Sequence, residues 1–179
     1  MELRFPEFEI LDLAKQYLQY WSRGQKTFER EEELMDEVLI DQVQQQGYLD
    51  IELLKTVALW HFPQSAHHID SNSESDVRKI TGNALEIQGE IIRLEVLTDL
   101  TGLGFKTASA VLHFFHKEKY PIINEPAMWS LSVDEADYSY EYWLKYVDFC
   151  RDHAERNSVD MRTLDRALWM YSKENQPSR

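Results

Sequence analysis

The sequence predicts an all-α fold. Apolar residues recur at three-and-four spacing in almost every segment, the pattern of one buried helix face. No stretch alternates apolar and polar residues as a half-buried strand does, and no internal repeat is visible. Gly24, Gly47 and Pro63 fall where periodic segments stop, and Pro126 falls where one starts.

The elements follow in order. Ile10, Leu13, Ala14, Tyr17, Leu18 and Trp21 share a face, with Gly24 as a stop. Acids open the next stretch, TFEREEELMDEVLIDQVQQQG, as suits a helix N-terminus, and Gly47 closes it. Its EREEE run reads as a solvated face. Leu53, Leu54, Val57 and Ala58 mark a third helix closed near Pro63. PQSAHHIDSNSES is the one long polar stretch and reads as a loop or lobe boundary. Helical pattern resumes near Asp76, again over GEIIRLEVLTDL, and again through Ala108, Val111, Leu112 and Phe115. YPIIN is an apolar link into a short helix, PAMWSL, with Pro126 in its first turn. Trp143, Tyr146, Val147 and Cys150 form one further face, and Met161, Leu164, Leu168 and Tyr171 another.

Bulk properties bound the function. The 179 residues allow one domain or two small lobes sharing a core. The net charge of −13 opposes a purely electrostatic nucleic-acid binder, because duplex phosphates repel it at long range. The charge is uneven, however. Residues 1–50 carry five Lys or Arg against twelve Asp or Glu, whereas residues 78–120 carry six against five. A single cysteine, Cys150, excludes an intramolecular disulfide and an iron–sulfur cluster bound by this chain's cysteines. The N-terminus lacks a basic, apolar leader, and no apolar run approaches membrane-spanning length, so a reducing, cytoplasmic setting without membrane contact is expected.

The stretch with the most chemistry is LTGLGFKTAS, residues 100–109. Gly102 and Gly104, at i and i+2, permit a tight turn and a close approach of backbone to a ligand. The following helix would turn its first amides and positive dipole end toward that turn, a site for a phosphate oxygen. Gly102 and Gly104 would supply backbone donors, Leu103 an apolar tip and Thr107 a hydroxyl, contacts that fix register on DNA without reading sequence. A corner in which the glycines serve only close packing is the structural alternative.

The full string LTGLGFKTASAVL resembles the hairpin of the helix-hairpin-helix DNA glycosylases, the endonuclease III-like superfamily with a Gly/Pro-rich loop and a catalytic aspartate. The resemblance spans residues 89–131. It implies two helical lobes, roughly residues 1–65 plus the C-terminal helices and residues 74–131, with the hairpin at the cleft between them. It also implies double-stranded DNA as partner, a base flipped out for excision, and a monovalent cation at the hairpin as the one cofactor to be considered. A monomer is expected. Lys106 matches the Schiff-base nucleophile of members that also cleave the backbone.

The same resemblance puts the family's aspartate at position 124. A helix over 105–116 is about 18 Å long, and residues 117–123 can extend to about 25 Å, enough to run back alongside it. Position 124, however, is asparagine. A carboxylate there would stabilise oxocarbenium character on the sugar and accept a proton from water or from the attacking amine. Asn124 has the shape without the charge. Three explanations stay open: a non-catalytic relative, an acid supplied from elsewhere, or a deliberate Asp-to-Asn change. Neither Glu125 nor Asp99 is well placed as the substitute, and Lys106 is equally well read as a phosphate-contacting lysine.

Other groups carry less. His113 and His116 lie i, i+3 and His67–His68 lie in the polar stretch, but no third metal ligand has suitable spacing. Trp60, Trp129 and Trp169 read mainly as core, with Trp129 best placed to stack on a base. Arg162, Arg166 and Lys173 make a basic helix face that either touches DNA backbone or pairs locally with Asp165. The expected activity is excision of a modified or damaged base, with or without abasic-site cleavage. The alternative is a catalytically silent DNA-binding or protein-interaction module.

Overall fold

A computed structural model of the chain describes residues 1–22, 35, 39–133 and 138–177. These residues are helical nearly throughout, with no β-strand among them. None of their helices is long and apolar enough to cross a membrane. Gly24 and the EREEE run lie outside the described residues, as does the side chain of Trp21.

The chain divides into two compact units, Met1–Glu29 with Tyr120–Arg179, and Arg30–Lys119. The expected lobes were drawn differently. Residues 39–65 group with the 100–104 turn and not with the first lobe, and the hand-over falls at 119/120 and not at 131. The reason is packing: the helices before residue 65 lie against the helix that follows that turn.

In the first unit, α1 (Ile10–Ser22) packs along the final helix, α10 (Met161–Asn175), which also meets α8 (Glu125–Ser130) and α9 (Tyr140–Arg156). Ile10, Leu13, Ala14 and Tyr17 are buried as their spacing predicts, whereas Leu18 is 48% exposed. Trp143, Tyr146, Val147 and Cys150 are all fully buried and center the core, each large apolar side chain contributing about 1.5–3 kcal/mol. Short polar side chains start the helices. Ser139 accepts from the Tyr142 amide at 3.2 Å and Asp160 from the Thr163 amide at 2.6 Å.

In the second unit, α7 (Phe105–Phe115) is the central rod. Every residue from Thr107 to Phe115 is buried, because α2 (Leu39–Gln46), α3 (Ile51–His61) and α6 (Glu90–Thr98) all pack on it. The helix α5 (Glu74–Glu86) covers α6. Buried Thr81 ties α5 to the start of α3: its hydroxyl accepts from the Leu49 amide at 2.9 Å and donates to the Val77 carbonyl at 2.8 Å. Buried Arg93 closes the unit's far end, with both terminal nitrogens on the Glu118 carboxylate, at 2.9 and 3.1 Å, and Nε on the Ile87 carbonyl. Residues 63–75, expected as a loop, contain the short helix α4 (Pro63–Ala66) and a 3-10 turn, Ile69–Ser71. Ile69 is completely buried and Ala66 nearly so, and these apolar residues in a polar stretch hold the segment down.

Candidate functional site

The turn between α6 and α7 is built by the backbone. Asp99 caps α6, and the Leu103 amide donates to the Leu100 carbonyl at 3.0 Å. Gly102 has φ +90°, a region closed to most L-residues. A Cβ on it would also meet the Ser65 carbonyl oxygen at 3.0 Å, His68 Cβ at 3.1 Å and Ile69 Cγ1 at 3.2 Å. Gly102 is therefore required twice, by its dihedral and by the segment packed beneath it. Gly104 is different. It stands at the N-cap of α7 with an ordinary φ of −90°, and a Cβ there would enter open space. As a glycine, Gly104 gives α7 no side-chain cap of its own, and this eleven-residue helix presents the positive end of its dipole beside an exposed residue.

Two expected contacts are corrected. Leu103, read as an exposed apolar tip, is 4% exposed and belongs to the core. Thr107, read as a hydroxyl offered to phosphate, is 2% exposed. Thr107 lies in the part of α7 that three other helices cover, and Leu103 turns inward just before it. Lys106 remains at the surface side of the turn, half-buried, with Nζ 5.0 Å from the centroid of the Phe62 ring. The ring face attracts the ammonium and holds it on the same corner as Gly104.

Asn124 lies in the other unit, as the N-cap of α8. Its Oδ1 accepts the Ala127 amide at 2.8 Å, and Pro126 occupies the first turn. The segment that delivers it is fixed from below by Tyr146, whose buried hydroxyl donates to the Ile122 carbonyl at 2.8 Å. Burial pushes the Tyr146 phenol well above its ordinary value, so it stays a neutral donor. The structure thus gathers Gly102, Gly104 and Lys106 on one corner of the second unit and assigns Asn124 a capping role in the first. Glu125 is exposed, and Asp99 is the helix-end acid it was expected to be.

The remaining candidates have structural occupations. Trp129 packs with the Arg4 guanidinium, 4.7 Å from its ring centroid, and with the Tyr171 ring at 5.8 Å, so the indole already has partners within the protein. Arg162 pairs with Asp165 at 2.8 Å, and Arg162 and Arg166 lie near the Tyr17 ring. His113 and His116 are buried on α7 and just after it. Among the described residues no three His, Cys, Asp or Glu side chains are placed to hold a metal ion.

Sequence reasoning missed Asn72. Its side chain pairs with the peptide of Thr101: Oδ1 accepts from the Thr101 amide at 2.8 Å, and Nδ2 donates to the Thr101 carbonyl at 2.9 Å. An asparagine in SNSES carries no periodic signal. Only Ile69 nearby marks that stretch as anchored. Comparison with family models, curated proteins and solved structures returns no match to the chain.

Proposed function

We propose that the chain is a duplex-DNA-binding protein of the helix-hairpin-helix glycosylase type, in which the 102–106 corner grips a phosphate and position 124 governs base excision. The observation that carries this reading is the contrast between the two glycines. Gly102 is demanded by the fold, whereas among the described residues none stands where a Cβ on Gly104 would go, and its bare backbone leaves room beside the start of α7. An approaching phosphate oxygen supplies a reason for that openness. Residues 78–120, with six Lys or Arg against five Asp or Glu, add nothing to the repulsion expected of the acidic chain as a whole.

Excision would proceed by attack of the Lys106 amine on C1′ of a damaged nucleotide, with the C1′–base bond breaking and the base leaving with the bonding electrons. The amine must first give up its proton. In the family that the 100–112 string resembles, a carboxylate at the place of position 124 has the task of taking up a proton and stabilising positive charge on the sugar. A neutral amide does neither, so base excision is expected to be weak with Asn124 and stronger in Asn124→Asp. A silent DNA-binding module is the second reading, favoured by the engagement of Asn124 Oδ1 with the Ala127 amide.

The test uses the protein and Asn124→Asp with duplexes carrying assorted base lesions or an abasic site, in the presence of borohydride. An adduct lost in Lys106→Ala supports lyase chemistry, and base release without an adduct supports a monofunctional enzyme. DNA binding without turnover by either form supports the silent module. Absence of DNA binding at low salt overturns both readings.

A further inference from the structure

We infer that Asn72 is a positioning residue for the 100–104 turn, acting on the proposed phosphate grip through the backbone of Thr101; the inference rests on the function proposed above. Three contacts join residues 62–72 to the hairpin. Phe62 lies under the Lys106 ammonium, Ser65, His68 and Ile69 wall the space beside Gly102, and Asn72 holds Thr101. The first orients a side chain and the second leaves no room for a Cβ at Gly102. Asn72 bonds directly to the backbone of the turn.

The geometry suits that task. A primary amide carries a donor and an acceptor side by side and can mimic a neighbouring peptide. Asn72 uses both on one residue, closing a two-bond ring with the amide and carbonyl of Thr101. Its Nδ2 also donates to the Ile69 carbonyl at 2.8 Å, and its own amide donates to that carbonyl at 3.0 Å. The clamp is thereby tied to the completely buried Ile69. Thr101 immediately precedes Gly102, whose φ of +90° sets the direction in which the chain enters Gly104 and α7. A turn held by its backbone keeps the opening of α7 in one orientation before ligand arrives, and preorganised donors bind more tightly than donors that must be ordered on binding. No part of the Asn72 side chain need touch DNA.

Two variants separate the elements of the clamp. Asn72→Ala removes all three side-chain bonds, whereas Asn72→Asp keeps the acceptor for the Thr101 amide and loses both donated bonds. Asn72 is only half-buried, so both variants are expected to fold. Amide hydrogen exchange without DNA is expected to show Thr101 exchanging at least about tenfold faster in Asn72→Ala, with the interior amides of α6 and α7 unchanged. Unchanged protection at Thr101 would overturn the clamp. Binding is then measured by anisotropy with a labelled duplex bearing a tetrahydrofuran abasic-site analogue. Loosening of the turn is expected to weaken binding about tenfold in Asn72→Ala, with the melting temperature lowered by only a few degrees and the assay run well below it, and Asn72→Asp is weakened as well. Faster exchange with unaltered affinity would overturn the positioning role. A wild-type protein that binds no duplex would overturn the proposed function instead, while the exchange result would still decide whether Asn72 holds the turn.

Discussion

Gly102→Ala is expected to damage the fold, and Gly104→Ala to leave it nearly untouched, although the two glycines are only two positions apart. At Gly102 the new side chain must adopt φ near +90°, at about 1–2 kcal/mol for an L-residue. It must also displace a backbone oxygen at 3.0 Å and two carbons at 3.1 and 3.2 Å, overpacking that costs about 1–3 kcal/mol. The total is about 2–5 kcal/mol. At Gly104 the φ of −90° is ordinary and no atom lies within 4 Å. Alanine there gains about 0.4–1 kcal/mol by restricting the unfolded chain and loses a similar amount as a poorer N-cap. Urea unfolding followed by far-UV circular dichroism measures both. Equal losses in the two variants, or a Gly102→Ala loss below about 1 kcal/mol, would refute the assignment of distinct roles to the two glycines.

Three further outcomes are expected. Asn124→Ala should lose about 1 kcal/mol in urea unfolding by removing the cap on α8, whereas Asn124→Asp should hold stability or raise it by a few tenths, since the carboxylate can accept the same amide and faces the positive end of the helix. His116 should make stability fall on acidification. Burial, with the Arg93 charge beside it, holds its imidazole below the ordinary value, so the unfolded chain binds more protons and the fold weakens as pH drops below about 6.5; His116→Gln should flatten that slope in unfolding measured between pH 7 and 5. Glu118→Ala should cost about 3 kcal/mol by leaving the Arg93 guanidinium buried without its carboxylate, the low end for breaking a buried pair because Glu118 is itself half-exposed, and Glu118→Gln should lose less in the same assay.

Much of the helical framework was legible, because a buried face repeats at fixed intervals. Trp143, Tyr146, Val147 and Cys150 are buried together, and Gly47, at φ +79°, ends α2 with its amide on the Val43 carbonyl. The directions of Leu103 and Thr107 were not legible. An apolar residue beside a turn has the same signature whether it faces ligand or core, and only the packing of α7 against three other helices decides it. Asn124 held a signal that went unused. Asparagine followed by Glu-Pro is a helix start, so the capping role is present in the residue type itself, independently of the charge it lacks. The unit boundary at 119/120 and the Asn72 clamp depend on long-range packing, for which local pattern has no counterpart.

The most direct test of the phosphate grip is Gly104→Ser. Serine is a better N-cap than glycine by a few tenths of a kcal/mol, so the fold should be as stable as before or slightly more so. The same side chain would fill the open mouth of α7 and engage its amides. Anisotropy with the abasic-analogue duplex at fixed salt should then show affinity reduced about tenfold or more, the scale of losing hydrogen bonds to a charged group. Undiminished affinity in this well-folded variant would mean that the opening of α7 does not hold the DNA.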